Sequence, residues 1–479
     1  MDIEEDAAAA EDGRRTRIRA WVEENVRGRV TAIDRLRRWR PVWRVDYERD
    51  GETRSLLVKS LRPWEATPYS LEHEAKLMQV LGAHGIPVPH VHGVIADPHG
   101  FVMDWAEGER DPGLVQQASE SASTMSAGRW KASLDYMDYL AQMHAIPRTA
   151  FAGTEVGDPV GARAIALDSY ERNYQLLEKR DGVDALIEFF TLWLRRNVPM
   201  HRTEACFVTG DCGQFLIEGD KITAILDVEI GHWGDPMHDL ACFRGRHPVE
   251  NMGDVPALFR HYAEISGKPL DLPVIAYHTV CFLALATIGP MVALIEKHPG
   301  GDWVEAVLQI AFIARRTLEA MAEIEDVELD TLTLPPPQPT PWEDMATEKL
   351  AGELSRLTTS PTFEKWQRDV LLSLPRYLTA RARYGRWMDE AELEDVAAIL
   401  GRQPADPIEA ERAMLAFVRQ AGPEQDKTLI RFYHRKIQRL CLMLAGPDAP
   451  ADHILLIKME PILHIDFGAC AASSERQPA

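Results

Sequence analysis

The chain is poor in cysteine and has no excess of positive charge. Only six of its 479 residues are Cys, and no two have Cys-x-x-Cys spacing, so neither a disulfide framework nor structural zinc is expected. The 53 Lys and Arg are outnumbered by 74 Asp and Glu, which gives a formal net charge of −21. Because a general nucleic-acid binder needs a basic surface to neutralise phosphates, no nucleic-acid partner is expected.

Targeting and membrane segments are also not expected. The first residues, Met-Asp-Ile-Glu-Glu-Asp, are acidic and lack the apolar core of a signal peptide. The run 273–295 is apolar enough to be compared with a membrane helix, but Gly289-Pro290 interrupts it. We interpret it as a buried core helix with a kink at Pro290. The expectation is a cytoplasmic protein in a reducing compartment, without a membrane partner.

Short strand-like runs precede a long helical region. Asp50-Gly51 and the residues 97–100 are hairpin signals, and the β-rich run 215–225 interrupts the later helical patterns. This order predicts an α+β fold and resembles a two-lobed kinase. We expect a bilobal, protein-kinase-like fold with a small antiparallel β lobe, a larger helical lobe and an additional α-helical C-terminal domain. The predicted units are an N-terminal extension (1–24), the β lobe (25–108), the helical lobe with the catalytic loop and metal site (109–334), a Pro-rich linker (335–341) and a helical C-terminal region (342–479).

A lysine at the end of an apolar strand has a candidate partner on the next helix. Lys59 ends the run Leu-Leu-Val-Lys, where burial of an ammonium is costly unless an anion pairs with it. Thr67-Pro68 predicts the start of a helix that continues to about Leu81, and Glu74 lies on its apolar stripe. Glu72 is the competing candidate, and each charge taken alone also fits an ordinary surface position.

Two aspartates follow β-rich runs and are separated by a predicted hairpin. Asp211 follows an apolar run and Gly210, and Asp227 comes 16 residues later. The hairpin can bring both carboxylates to one edge. One can then accept a hydroxyl proton while the other binds Mg²⁺, which prefers oxygen ligands. For either residue alone, a turn aspartate at a strand end is the simpler interpretation.

Taken in order, these motifs resemble the aminoglycoside phosphotransferase-like family of small-molecule kinases over about residues 25–330. Thr209-Gly210-Asp211 stands where the family has His-Gly-Asp, and Asp227-Val228-Glu229 where it has Asp-Trp-Glu. Residues 234–241 read Gly-Asp-Pro-Met-His-Asp-Leu-Ala, a long match to the family's Gly-Asp-Pro-x-x-Asp-Leu-Ala. Residues 101–108 resemble its lobe-connecting hinge, and 140–146 resemble the helix ahead of its catalytic loop.

The resemblance implies an ATP- and Mg²⁺-dependent kinase that phosphorylates a hydroxyl group of a small molecule. Asp211 would be the catalytic base, with Asp227 and Gln214 as metal ligands. Lys59, held by Glu74, would contact phosphates. Backbone groups near Asp104 and Ala106 would bind adenine with Met103 behind it, and Asp239 would support the catalytic loop together with Thr209 and Glu229.

The chain departs from the family pattern at three places. Thr209 replaces the usual His, and Gln214 replaces the metal-binding Asn at a spacing of three residues rather than five. The Gly-rich phosphate loop is replaced by Arg37-Arg-Trp-Arg-Pro-Val-Trp-Arg44, from which Arg40 and Arg44 can contact phosphates. A nucleotide-binding scaffold without kinase activity is the alternative that these departures leave open.

The acceptor and the C-terminal region are less defined. The family includes antibiotic, choline, homoserine and hydroxyacyl-CoA kinases, and the stretch 185–199 is most similar to the last group, which favours a metabolic or catabolic acceptor. An amphipathic helix is predicted over about 427–444. The C-terminal helices are candidates for a dimer interface, and the Asp-Phe-Gly at 466–468 is interpreted as a chance match.

Overall fold

A five-stranded antiparallel sheet forms the small lobe. The computed structural model describes residues 2–36, 40–61, 67–109, 125–295, 303–359 and 362–465. Asp50 and Gly51 both have positive φ and close the tight turn between the second and third strands, as the Asp-Gly signal predicts. The strand order is β1-β2-β3-β5-β4, with β1 at Arg29–Arg35, β2 at Val42–Arg49, β3 at Glu52–Ser60, β4 at Val91–Ile95 and β5 at Gly100–Asp104.

The N-terminal helix covers one face of this sheet. Helix α1 (Asp2–Asn25) buries Ile18 and Val22 against alternate strand residues that include Trp43 and Val58, and Val26, just after the helix, joins the same cluster. Because side chains alternate between the two faces of a strand, the intervening residues of β2 and β3 face the opposite side of the sheet. That side carries Arg44, Leu57 and Lys59 and faces the second lobe.

Helix α2 (Leu71–Ala83) lies between the sheet and the helical lobe. It begins at Leu71 rather than at Thr67-Pro68, because the Ser70 side chain accepts a hydrogen bond from the His73 backbone N–H and caps the helix. Leu71, Glu74 and Leu77 all lie on its buried side. Glu74 shares the buried side with these leucines, so its carboxylate is turned toward Lys59 of the sheet.

The larger lobe is helical with two short two-stranded sheets. Strands β6 and β9 pair antiparallel, and β7 and β8 form an antiparallel hairpin between them in sequence. The strand bounds are Cys206–Val208 for β6, Phe215–Glu218 for β7, Lys221–Ile225 for β8 and His232–Gly234 for β9. The helices are α3 (Ala127–Ala145), α4 (Gly161–Glu178), α5 (Ala185–Arg196), α6 (Met237–Arg246), α7 (Val255–Ser266), α8 (Leu272–Ile295) and α9 (Trp303–Ile324), with a 3₁₀ turn at Arg148–Phe151.

Helix α8 is the apolar run singled out in the sequence. Among the described residues it is the one helix long and apolar enough to cross a membrane, with a mean hydropathy of 1.9. Its side chains from Val274 to Leu285 are buried, and it packs against α4, α5, α6 and α9. Pro290 lies inside the helix, as predicted. These contacts explain the apolar composition of α8, which packs as a core helix.

The C-terminal region is helical, and its second half shares a core with the larger lobe. Helix α13 packs on α5, and α14 packs on α9. Buried residues of α14, such as Phe432 and Ile437, belong to the same hydrophobic cluster as Phe189 of α5 and Leu318 of α9. The bounds are Pro341–Arg356 for α10, Thr362–Leu371 for α11, Ser373–Leu400 for α12, Pro407–Val418 for α13 and Asp426–Ala445 for α14.

The segment after α14 returns to the helical lobe. The backbone N–H groups of Ile462 and Leu463 each donate to Glu323 Oε1 at 2.7 Å. Arg315 donates to the Leu455 carbonyl at 2.6 Å. The Asp-Phe-Gly at 466–468 lies outside the described residues.

This packing predicts the effect of removing the C-terminal region. A chain that ends at Leu334 exposes the apolar surface of α5 and α9 that α13 and α14 cover, so we expect it to aggregate. A chain that ends at Ile465 keeps every described contact and should stay monodisperse at the same expression level. Solubility and size-exclusion profiles check this expectation, and a soluble, folded 1–334 chain would show that the tail is dispensable for folding.

Candidate active site

Lys59 lies at the centre of a cluster of carboxylates between the two lobes. Its Nζ atom is 2.9 Å from Glu74 Oε1, 2.8 Å from Glu229 Oε2 and 3.6 Å from Asp227 Oδ1. Burial alone would lower the pKa of Lys59, but Glu229, Glu74 and Asp227 outweigh it and raise that pKa. Lys59 therefore stays charged. The carboxylate of Glu72, the competing candidate, faces His99 instead, with 3.5 Å between Glu72 Oε1 and His99 Nε2.

Arg40 and Arg44, the two arginines expected to contact phosphates, have different partners. Arg40 is buried and forms an ion pair with Glu229. Arg44 forms an ion pair with Asp46 at 2.9 Å, donates to Ser55 Oγ at 3.1 Å and stacks over Trp105 at 4.7 Å from the ring centroid. Arg40 thus belongs to the Lys59 cluster, whereas Arg44 lies toward the hinge. Residues 37–39 of the same segment are outside the described part of the chain.

Asp239 organises the loop that carries Asp211. Its carboxylate accepts hydrogen bonds from the Thr209 N–H at 2.9 Å, the Thr209 hydroxyl at 3.0 Å and the Gly210 N–H at 3.1 Å. His144 Nε2 lies 3.2 Å from the same carboxylate. Burial would raise the pKa of Asp239, but the hydrogen bond with His144 and the loop N–H groups hold it below its usual value. The loop is therefore fixed by one fully buried carboxylate.

Gly210 permits the sharp turn before Asp211. It has a φ of 77°, and a Cβ atom at this position would lie 2.8 Å from the Ile230 carbonyl oxygen. An L side chain would be strained in that conformation and would also clash with the backbone. The turn directs the chain out of β6 and places Asp211 at the surface of the cleft.

Asp211 is held by two side chains from opposite sides. Arg246, near the end of α6, forms an ion pair with Oδ1, and the Gln214 side-chain amide donates to Oδ2. Arg246 also pairs with Glu250 and donates to the Cys212 carbonyl at 3.0 Å, so its guanidinium is fixed in place. Burial raises the pKa of Asp211 to about 6, opposed by Arg246 and reinforced by the charge of Asp227.

Asp227 has a left-handed backbone and a partly exposed carboxylate. Its φ is 62°, in the left-handed region that non-glycine residues seldom adopt, and its side chain is 37% exposed. Carboxylate oxygens of Asp227, Glu74 and Glu229 lie within 4.8 Å of one another. Glu74 and Glu229 lie closest to the Lys59 ammonium, so Asp227, at 3.6 Å and partly exposed, is the member of the set best able to offer a hard oxygen ligand to Mg²⁺. Gln214 lies beside Asp211, and its role as a metal ligand stays a prediction.

The segment after β5 has the features of a hinge. Met103 is buried and pairs with Leu57 on the neighbouring strand. The Asp104 and Trp105 N–H groups donate to the His90 and Ser55 carbonyls at 2.9 and 3.2 Å. Among the described residues, no backbone carbonyl accepts a hydrogen bond from the Ala106 N–H. Ala106 can therefore offer its N–H to a ligand.

Sequence reasoning did not single out Arg246 and Glu250, which complete the environment of Asp211. Arg246 comes seven residues after Asp239, two turns along the same helix, so both side chains lie on the face of α6 that meets the catalytic loop. That periodicity is a signal from which Arg246 could have been found. Glu250 follows the end of the helix, and its spacing of four residues from Arg246 is the signal for their ion pair.

The sequence matches a known family over the part of the chain that forms this site. Residues 40–263 match the model described as the phosphotransferase enzyme family. The matched segment contains Lys59, Glu74, Asp211, Asp227 and Asp239. The C-terminal helices α10 to α14 lie outside it.

Two curated relatives are similar to the chain. Acyl-CoA dehydrogenase family member 11 of Rattus norvegicus is 26% identical over 213 residues, and the Mus musculus protein of the same name is 23% identical over 203 residues. Each match covers 39% of this chain and 26% of the relative. The chain thus spans about a quarter of the length of these curated relatives.

Two solved structures of phosphotransferases show a distant similarity to this chain. A thermostable mutant of aminoglycoside phosphotransferase APH(4)-Ia, in a ternary complex with ADP and hygromycin B, is 14% identical with a TM-score of 0.41 and covers 62% of this chain and 96% of that chain. The macrolide 2'-phosphotransferase MphH from Brachybacterium faecium is 20% identical with a TM-score of 0.42, covering 60% and 97%.

Proposed function

From the match of residues 40–263 to the phosphotransferase enzyme family, we propose that the chain is an ATP- and Mg²⁺-dependent kinase of a small-molecule hydroxyl group. One observation supports the proposal most directly. Lys59 of the small lobe pairs with Glu229 and Asp227 of the helical lobe, and the charge of Asp227 contributes to the raised pKa of Asp211 on its supported loop. A cytoplasmic location, where ATP is available, is part of the proposal.

Each residue has a distinct role in the proposed reaction. Lys59 contacts the phosphates, and Glu74 orients its ammonium group. Asp227, with Gln214 as the second predicted ligand, would hold Mg²⁺, which supplies neutralisation of the phosphate charge when bound. Glu229 would support this site through its pairs with Lys59 and Arg40. Asp211 orients the acceptor hydroxyl and takes its proton late in the transfer. Arg246 keeps Asp211 in position, and Asp239 keeps the loop in position.

We propose a metabolic rather than an antibiotic acceptor. The curated relatives bear the name of an acyl-CoA dehydrogenase family member, and the sequence 185–199 resembles hydroxyacyl-CoA kinases. Hydroxyacyl-CoA thioesters and their free acids are therefore the first acceptors to test. Aminoglycosides, choline and homoserine complete the panel.

The experiment measures ATP consumption by the full chain with each acceptor in the presence of Mg²⁺. The expected result is stoichiometric ADP release together with an acceptor whose mass increases by one phosphate group. If the chain binds ATP but phosphorylates no hydroxyl compound in the panel, the non-catalytic scaffold becomes the better interpretation. Nucleotide affinity measured by calorimetry separates these two outcomes.

The pH profile should report the environment of Asp211. Because the deprotonated carboxylate is the form that accepts a proton, kcat/KM should fall as the pH decreases below about 6, the pKa of Asp211. An adjacent Arg lowers a carboxylate pKa by about 1 to 3 units, so Arg246→Met should move this fall to a pH at least about one unit higher. Arg386→Met, at an exposed position of α12, is the control and should leave the profile unchanged. An identical profile for Arg246→Met would contradict the role of Arg246.

A further inference from the structure

Helix α10 stands apart from the core of the protein. None of its 16 residues is buried, although every other α-helix whose side chains are described in full buries residues. One side of α10 contacts α12, where the Thr347 hydroxyl lies 2.7 Å from the Thr379 hydroxyl and Arg383 pairs with Asp344 at 3.1 Å. These polar contacts hold the helix in place but bury little apolar surface.

The opposite side of α10 carries exposed apolar side chains. Trp342 is 75% exposed, Met345 55%, Leu350 44% and Leu357, just beyond the helix, 58%. With Ala346 they follow helical spacing and form one stripe, which we name the α10 stripe. Since a single helix gains little stability in water without burial of an apolar face, this stripe needs a partner.

The charges on the α10 stripe are self-complementary. Lys349 and Glu353 lie along it and form an ion pair within the helix. If two copies of α10 lie antiparallel about a two-fold axis at position 351, Lys349 of each copy faces Glu353 of the other, and Met345 faces Leu357. In the same arrangement the two Leu350 side chains lie near the axis. An isologous interface requires this kind of symmetric pattern.

We propose that the α10 stripe is the interface of a homodimer in which a second copy of this chain covers it. A membrane surface fits less well, because α10 carries Glu343, Asp344, Glu348 and Glu353 against Lys349 and Arg356, whereas interfacial helices are rich in basic residues. The proposal does not depend on the kinase reaction, since the family match ends at residue 263 and α10 begins at Pro341.

Light scattering coupled to size exclusion tests the proposal on the full chain. The wild type should be a dimer at micromolar concentration, and Leu350→Asp should weaken dimerisation at least about tenfold, because two carboxylates would meet near the axis. The matched control is Ile408→Asp, at a 69% exposed apolar position on α13, which should remain dimeric. A monomeric wild type at about 100 µM, or equal behaviour of the two variants, would overturn the proposal.

A cross-linking experiment identifies the contact itself. In a Cys470→Ser background the five remaining native cysteines are buried, so Leu350→Cys introduces an accessible thiol near the proposed axis. Mild oxidation should link Leu350→Cys into covalent dimers, whereas Ile408→Cys should stay monomeric on a non-reducing gel. A dimeric protein in which Leu350→Cys fails to cross-link would place the dimer interface elsewhere and refute this assignment. Phosphoryl transfer is measured in parallel and should be unchanged in both variants.

Discussion

Replacement of Asp211 by Asn should lower phosphoryl transfer by at least about a hundredfold while ATP binds with nearly unchanged affinity. General-base assistance contributes about 10² to 10⁴ in rate, which corresponds to about 3 to 5 kcal/mol. Asn keeps the shape of the side chain and can still accept a hydrogen bond from Arg246, but it cannot take the acceptor proton. Single-turnover rates and nucleotide titrations measure the two quantities separately.

Asp220→Asn is the matched control for this substitution. Asp220 is a half-exposed carboxylate at the β7–β8 turn, a short distance along the chain from Asp211. We expect wild-type transfer from this variant. Loss of ATP binding in Asp211→Asn would instead indicate a structural or metal-binding residue. Unchanged transfer would remove the catalytic interpretation of the loop, and the scaffold hypothesis would then be preferred.

Asp227→Asn should remove Mg²⁺-dependent transfer, again by at least about a hundredfold. Asn is the substitution of choice because, like Asp, it tolerates the left-handed backbone that this position requires, whereas Ala would add strain. Its neutral amide is a weaker ligand for a hard cation than a carboxylate. Nucleotide affinity, titrated with and without Mg²⁺, should lose most of its dependence on the metal.

Asp50→Asn controls for the backbone effect. Asp50 has a φ of 54° at the β2–β3 turn, so it has the same left-handed backbone as Asp227 but lies outside the candidate site. Both variants should keep the thermal stability of the wild type. Asp227→Asn with wild-type turnover and Mg²⁺ dependence would show that another residue binds the metal.

The main chemical elements of the candidate site could be predicted because their signals are local. Asp211 follows a strand and a glycine, and Asp227 follows the next hairpin, so short-range turn geometry positions both. Glu74 could be preferred to Glu72 as the partner of Lys59, because residues two positions apart lie on different faces of a helix. Its contact with Lys59 at 2.9 Å follows from that phase.

Other features of the site depend on pairings between distant segments. Arg40 and Glu229 are 189 residues apart, and Arg246 and Asp211 are 35 apart. No spacing rule connects such pairs, because each depends on how whole helices and strands pack. Thr209 illustrates the same limit: its departure from the family pattern is visible in the sequence, but its hydroxyl bond to Asp239 is visible only in the fold.

The sequence by itself determined the α+β class, the order of the lobes and four charged residues of the candidate site, Lys59, Glu74, Asp211 and Asp227, because strand alternation, helical periodicity and turn chemistry act over a few residues. Tertiary structure decided which faces became buried. It placed α1 on the small lobe and joined α13 and α14 to the core of the larger lobe. It also left the α10 stripe exposed. Burial of an apolar face depends on the element that packs against it, and that partner is set by the folded chain as a whole.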